Sequence, residues 1–313
     1  GNFTYITNDL NMSAKLDIKK KKKTKTNVTT PSYTADCYAK STDYNVSYVP
    51  TTPIAGINNI LYHETTTNQN GTIPFGNTID IANIPSTVFS NVRPGTGILH
   101  FNLNFDRNQS RPVNPFIFTV QDLNATDSNN VKGNFRLDQN ATFYYGRVYS
   151  TDYRGPAPIP TRIRYEAYCV TPANCANFGL VTQSPLSVQW YQNTDHANSD
   201  GNVTNFASQD GGTTIANANR SRINQGFDNT HALSLAGATA APYTDTIQMT
   251  PSSWLLFNLA NQNAITNDFR VEFTAISGWS GEGNVNRATD GTKAVGSFTN
   301  DQNITRGTRK MSW

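Results

Sequence analysis

Leu99-His100-Phe101-Asn102-Leu103-Asn104-Phe105 sets a large apolar side chain at every second position and a polar one between each pair. In an extended strand successive side chains point to opposite faces. The run therefore predicts a strand with Leu99, Phe101, Leu103 and Phe105 against a core and His100, Asn102 and Asn104 turned outward. The same period recurs in Phe116, Phe118 and Val120, and in Phe143, Tyr145 and Arg147 set against Tyr144, Gly146 and Val148. Ile163, Tyr165, Ala167 and Cys169 oppose Arg162, Arg164, Glu166 and Tyr168; Leu186, Val188 and Trp190 follow; Phe269, Val271, Phe273 and Ala275 oppose Arg270, Glu272 and Thr274. No helical period competes with these segments. In Ser252 to Gln262, Ser253 precedes an apolar run, but Asn258, Asn261 and Asn263 weaken a helix, so this stretch is read as a further strand.

Turn residues lie between the alternating runs: Asn70-Gly71, Lys132-Gly133, Arg154-Gly155-Pro156, Asp200-Gly201, Asp210-Gly211-Gly212 and Asp290-Gly291. Their spacing predicts an all-β fold of two β-sandwich units, Ig-like or jelly-roll-like, with long loops. Residues 1–30 hold little apolar character and read as a linker or the end of a preceding module. Residues 31–138 form the first unit and 139–280 the second. The Gly- and Asn-rich residues 281–313 form a loop-rich tail. No fixed-period repeat indicates a solenoid.

Composition narrows the function classes. The chain has 313 residues, of which only 15% are charged, and about one in eight is Asn, well above ordinary usage. Such a surface is polar yet nearly uncharged. The formal charge of +3 owes much to the run Lys19 to Lys23 with Lys25, read either as a solvated linker or as an electrostatic hold on anionic polymer. Lys and Arg are not spread over a face with aromatic partners, which argues against a nucleic-acid surface. No stretch approaches the roughly 18 apolar residues of a membrane helix, and no charged-then-apolar signal opens the chain. Gly1-Asn2-Phe3-Thr4-Tyr5 reads as strand or linker, as expected of an excised fragment or a processed export product.

Of the three cysteines, Cys169 and Cys175 bracket a loop holding Pro172 and Asn174, so a disulfide in an oxidising compartment is the favoured reading. Cys37 is then left over, either buried as a small apolar residue or paired elsewhere.

The run Tyr145-Gly-Arg-Val-Tyr-Ser-Thr-Asp-Tyr-Arg-Gly-Pro-Ala-Pro-Ile-Pro-Thr-Arg-Ile-Arg-Tyr-Glu-Ala-Tyr168, followed by Trp190-Tyr-Gln-Asn-Thr-Asp195, resembles the C-terminal module of MSHA-pilus biogenesis protein Q relatives. Tyr33-Thr-Ala-Asp-Cys-Tyr-Ala-Lys40, Phe105-Asp-Arg-Asn108 and Pro112-Val-Asn-Pro-Phe116 are similar to stretches of large exported proteins of Campylobacterota that carry such a module. The resemblance covers most of residues 33 to 200. It implies an exported protein, linked to a pilus or the cell surface, and it brings no catalytic residues to carry over.

Enzymatic constellations are sparse. His63, His100, His196 and His231 are scattered without a two-His metal motif, and neither a nucleophile elbow nor a phosphate loop is present. Glu166 and Glu272, the strand-borne acids beside Arg164 and Arg270, read as charge pairs on solvated sheet faces rather than as a glycosidase pair. Asp122, Asn124 and Asp127 place oxygens at a turn, as do Asp195 and Asp200. Either set reads as a partial calcium site or as an ordinary Asx turn, because the acidic ligands of a full calcium loop are missing. Trp190 and Trp254 are expected in the core, and Trp279, in a loop between Gly278 and Ser280, as a ligand contact. The reading is a non-enzymatic, exported surface or pilus-associated structural and adhesion module. Its expected partners are other surface or pilus proteins, its own copies through sheet edges, and glycans. A secreted lectin or glycan-active enzyme is the first alternative, a viral jelly-roll capsid or fibre protein the second.

Overall fold

The computed structural model describes residues 3–21, 27–90, 92–181, 188–216, 223–228, 233–237 and 241–275. The first unit runs β1 (Phe3–Tyr5), β2 (Leu10–Asp17), β3 (Lys19–Lys21), β4 (Asn27–Thr29), β5 (Thr42–Val49), β6 (Ile57–Glu64), β7 (Gln69–Pro74), β8 (Ile79–Ile84), β9 (Thr96–Arg107), β10 (Phe116–Asp127) and β11 (Lys132–Tyr144). Two sheets, ordered β1-β11-β10-β5-β8 and β2-β9-β6-β7, close on one core. The alternation read from sequence is realised there: Leu99, Phe101, Leu103 and Phe105 are buried from one sheet and Phe118 and Val120 from the other, while His100 is exposed. Phe105 meets Phe116, Phe118 and Phe143 edge-on with ring centroids 4.6 to 5.4 Å apart, the geometry that aromatic quadrupoles favour.

The second unit runs β12 (Gly146–Tyr149), β13 (Tyr153–Gly155), β14 (Ile159–Thr161), β15 (Arg164–Tyr168), helix α1 (Pro172–Asn177), β16 (Trp190–Gln192), β17 (Val203–Ser208), β18 (Thr213–Ala216), β19 (Ile223–Asn224), β20 (Phe227–Asp228), β21 (Leu233–Gly237), β22 (Tyr243–Pro251) and β23 (Asn267–Phe273). Three sheets surround a second core: β12-β15-β20-β19 with β16 beside β15, β13-β23-β22-β17, and β14-β21-β18. The fold is all-β, in sandwich-like units. Cys169 and Cys175, both buried, form the disulfide, which pins α1 to the end of β15. Cys37 is free and exposed, not buried.

Several expectations need correction. Residues 3–21 are not a linker: β1 pairs in parallel with the end of β11, and β2 pairs with β9 over its whole length. Leu10, Met12, Ala14 and Leu16 alternate toward the core, a signal masked in the sequence by the neighbouring lysines. The expected division at 138/139 falls inside a strand, because β11 continues unbroken to Tyr144. Asn70-Gly71 lies inside β7. The turn sits at 65–68, where the buried Glu64 carboxylate accepts from the Thr66 and Thr67 amides and the Thr67 hydroxyl. Gly71 is needed there because the Tyr62 ring lies where a Cβ would stand, 2.1 Å away. Ser252 to Gln262 is no strand: Ser253–Leu255 make one 3₁₀ turn followed by irregular chain, as the Asn residues favour. Leu186, His231, Trp279, Asp290-Gly291 and the tail 281–313 lie outside the described residues.

Candidate functional site

The two cores meet in a seam at the end of β11 and the start of β12. Residues 143–148 are buried at every position, because this stretch is shared by both cores: Phe143 and Tyr145 face the first, Tyr144 and Val148 the second. Gly146 is dictated by packing, since a Cβ there would lie 2.5 Å from the Tyr5 ring and 3.0 Å from Leu255. Arg147 and Glu166 stand opposite each other on β12 and β15, and Gln192 of β16 stands next to Glu166. The Arg147 guanidinium donates to Glu166 Oε2 from Nε (2.7 Å) and NH2 (2.6 Å), and lies 4.0 Å over the Trp190 ring and 4.3 Å over the Tyr149 ring. Glu166 is fully buried, which corrects the expectation of a solvated sheet face. Burial pushes its carboxyl up, and the Arg147 charge opposes this without cancelling it. Glu272 does sit at the surface, paired with Arg154 at 3.2 Å.

A second knot joins the units through β1. Asn193 Nδ2 donates to the Tyr5 hydroxyl (2.9 Å), and that hydroxyl meets His196 Nδ1 at 2.8 Å. His196 Nε2 lies 2.9 Å from the Gly201 carbonyl, an acceptor only, so Nε2 carries the proton and Nδ1 accepts from Tyr5. The imidazole stacks on Tyr165 at 4.1 Å. Burial drives its pKa down to about 4, against the smaller opposing pull of the Gly201 carbonyl. Arg107 of β9 donates to the carbonyls of Gly146 (3.1 Å), Leu256 (2.6 Å) and Trp254, and stacks 3.8 Å over Tyr145. Arg107 and the Tyr5–His196–Asn193 knot thus hold one unit on the other, while the Arg147–Glu166 pair braces β12 on β15 within the second unit. Trp190 is core, as expected; Trp254 is half-buried and donates to the Asp200 carbonyl at 2.8 Å.

The cation candidates are not assembled. Asp122, Asn124 and Asp127 lie on β10 rather than in a loop, with Asp122 and Asn124 on its outer face and Asp127 turned inward. Asp127 accepts from the Tyr33 hydroxyl and the Asn129 and Val131 amides, an Asx turn. Asp200 accepts from the Ala197 amide, and the Asp195 amide donates to Asn193. Among the described residues no three His, Cys, Asp or Glu side chains are grouped to hold a metal.

An open surface with room for a ligand is the outward face of β2-β9-β6-β7. Its register sets Asn11, Asn102, His63 and Asn70 in one cross-strand row, with Asn104, Leu61 and Thr72 in the next. A shallow depression of about 510 Å³ lies over it. Asn104 Nδ2 is anchored on Asp9 Oδ1, and His63 Nε2 on Asn68 Oδ1 at 2.7 Å. The face therefore offers amide donors and acceptors beside the Asp9 carboxylate, with Asn104 and His63 held in place. Composition alone had suggested a polar uncharged surface; strand register, which composition does not reveal, gathers it into rows.

No protein family, curated protein or solved structure matches the chain.

Proposed function

We propose that this chain is a non-enzymatic, exported structural and adhesion module of a cell-surface or pilus-associated protein. The observation that carries the reading is the use made of its buried polar groups. Arg107 reaches from β9 to carbonyls of the second unit and the neutral His196 holds the Tyr5 hydroxyl of β1, so both fix one unit on the other, while Arg147 and Glu166 pair within the second unit. A disulfide between buried cysteines suits an oxidising, extracellular setting. The resemblance of residues 145–195 to pilus-linked modules points the same way, with other surface proteins as partners.

The amide rows over β9 and β6 favour a second reading of the contact itself, a neutral glycan, whose hydroxyls pair with fixed amides and imidazole. Trp279, outside the described residues, is proposed as an additional loop contact, and calcium as no more than an optional ligand. A saccharide-binding screen run beside a hydrolysis assay on the same material tests both points. Binding without turnover, abolished by Asn102→Ala with His63→Ala, is the expected result. Release of reducing ends by the unmodified chain would overturn the non-enzymatic reading. Binding unaffected by the double variant and by Trp279→Ala would remove the glycan contact.

A further inference from the structure

The two lateral sides of the first sandwich differ. On one side the edges β7 and β8 are guarded: Gln69 Nε2 caps the Ala82 carbonyl (2.8 Å), the Tyr62 hydroxyl caps the Asp80 carbonyl (3.1 Å), β7 ends in Pro74, and β8 is broken by a register shift and by Asn83 at φ 57°. These are devices that keep sheet edges from pairing. On the other side, among the described residues, β2 has no capping side chain, proline or bulge, and its one edge lysine is Lys15. All eight of its residues pair with β9 without a bulge, it contains no proline, and among the described residues no strand pairs with its outer edge.

The backbone direction along that edge follows from one bond. The Ile18 amide donates to the Gly95 carbonyl at 2.7 Å, toward the β9 side, so in the regular strand Leu16, Ala14 and Met12 turn their peptide groups to β9. Asn11, Ser13 and Lys15 then turn theirs to the open edge. The same three residues carry exposed side chains, whereas Leu10 and Met12 are apolar and only half-covered by the core beneath.

We propose that the open edge of β2 pairs, antiparallel, with β2 of a second copy of this chain, which joins the β2-β9-β6-β7 sheets of two molecules into one. This inference rests on the structural reading above and names the edge and partner involved. The register with a two-fold axis at Ser13 keeps the apolar alternation in phase, and sets Asp9 of one copy near Asp17 of the other at its ends. It sets Ser13 against Ser13 and Asn11 against Lys15 of the other copy as the hydrogen-bonded pairs. Leu10 then meets Leu16 and Met12 meets Ala14, so apolar residues stay on one face and polar ones on the other. The half-exposed Leu10 and Met12 gain apolar neighbours, which a copy supplies because the strand's alternation is self-complementary.

Sedimentation equilibrium in a Cys37→Ser background, which removes disulfide-linked dimers through that exposed thiol, tests the proposal. A concentration-dependent species of twice 34.5 kDa is expected. Ser13→Pro removes the central outward amide without touching the β9 ladder, and should abolish that species while the circular dichroism stays native. Asn11→Lys sets like charges opposite each other twice and should weaken dimerisation by roughly tenfold, and adding Lys15→Glu should restore it. If Ser13→Pro does not fold, the Asn11→Lys and Lys15→Glu pair decides. A chain that is monomeric up to its solubility limit, or a dimer indifferent to these substitutions, overturns the inference. Glycan binding by the monomer is read separately, so failure of the edge leaves the adhesion reading standing.

Discussion

Acidification should loosen the seam between the units through one imidazole. His196 is almost wholly buried and its pKa is pushed from 6.5 to about 4, so between those values the unfolded chain binds a proton that the folded chain refuses. Unfolding then takes up protons, and stability rises with pH in this window. The full contribution is present above pH 6.5 and is lost as pH falls toward 4. A shift of about 2.5 units at 1.36 kcal/mol each makes the loss about 3 kcal/mol. Protonation also turns Nδ1 into a donor, which sets it against the Tyr5 hydroxyl that now donates to it. Urea unfolding of the unmodified chain and of His196→Gln at half-unit steps from pH 7.5 to 4.5 isolates the effect, because Gln keeps a donor and an acceptor but does not titrate. The unmodified chain should lose more stability than the variant across that range, by about 2 kcal/mol or more at the acid end. Parallel curves for the two proteins would refute the assignment.

Other outcomes follow from neighbouring contacts. Glu166→Gln leaves the buried Arg147 charge without its carboxylate and should cost about 3 to 5 kcal/mol in urea unfolding, whereas replacing both residues by Met should recover part of that loss. Reduction of Cys169–Cys175, or replacement of both by Ala, releases a short loop and should lower stability by about 2 kcal/mol. Gly146→Ala should lower the melting temperature markedly, as its methyl would overlap the Tyr5 ring; a melting temperature unchanged in calorimetry would contradict the packing described at the seam. Millimolar calcium should leave the melting temperature where a chelator leaves it, because Asp127 already accepts three hydrogen bonds from the protein; a rise of several degrees would show that the Asp122 or Asp195 regions gather a cation after all.

Period-two alternation made the sandwich strands legible because each of them buries one face: Phe101 and Phe118 are inside for the reason their spacing states. It misled where both faces are covered. Glu166 looks solvated in sequence because Arg164 and Tyr168 flank it, yet β16 pairs beside it and the Trp190 ring lies over its Arg147 partner, and only a tertiary partner reveals this. The Leu10 to Leu16 alternation is masked in the sequence, since the lysine run beside it dominates local composition. The disulfide was legible from spacing and turn chemistry alone. The seam was not, for Tyr5 lies nearly two hundred residues from both Asn193 and His196, and no local pattern announces such a meeting. The cation sets failed for a simple geometric reason: strand alternation sends Asp122 and Asp127 to opposite faces.

The parallel pairing of β1 with the end of β11 has a mechanical consequence. Phe3, Thr4 and Tyr5 lie beside Thr142, Phe143 and Tyr144, and the chain passes directly from Tyr144 into the second unit. Tension applied between Phe3 and the second unit draws these two strands past each other lengthwise, so their hydrogen bonds are strained together rather than opened in sequence from one end. The Tyr5 side chain, locked among Asn193, His196 and Gly146, would have to leave its socket in the same event. A body strung end to end under load would thus yield at a single clamp, and its lifetime under force would be set by the rate of that one rupture.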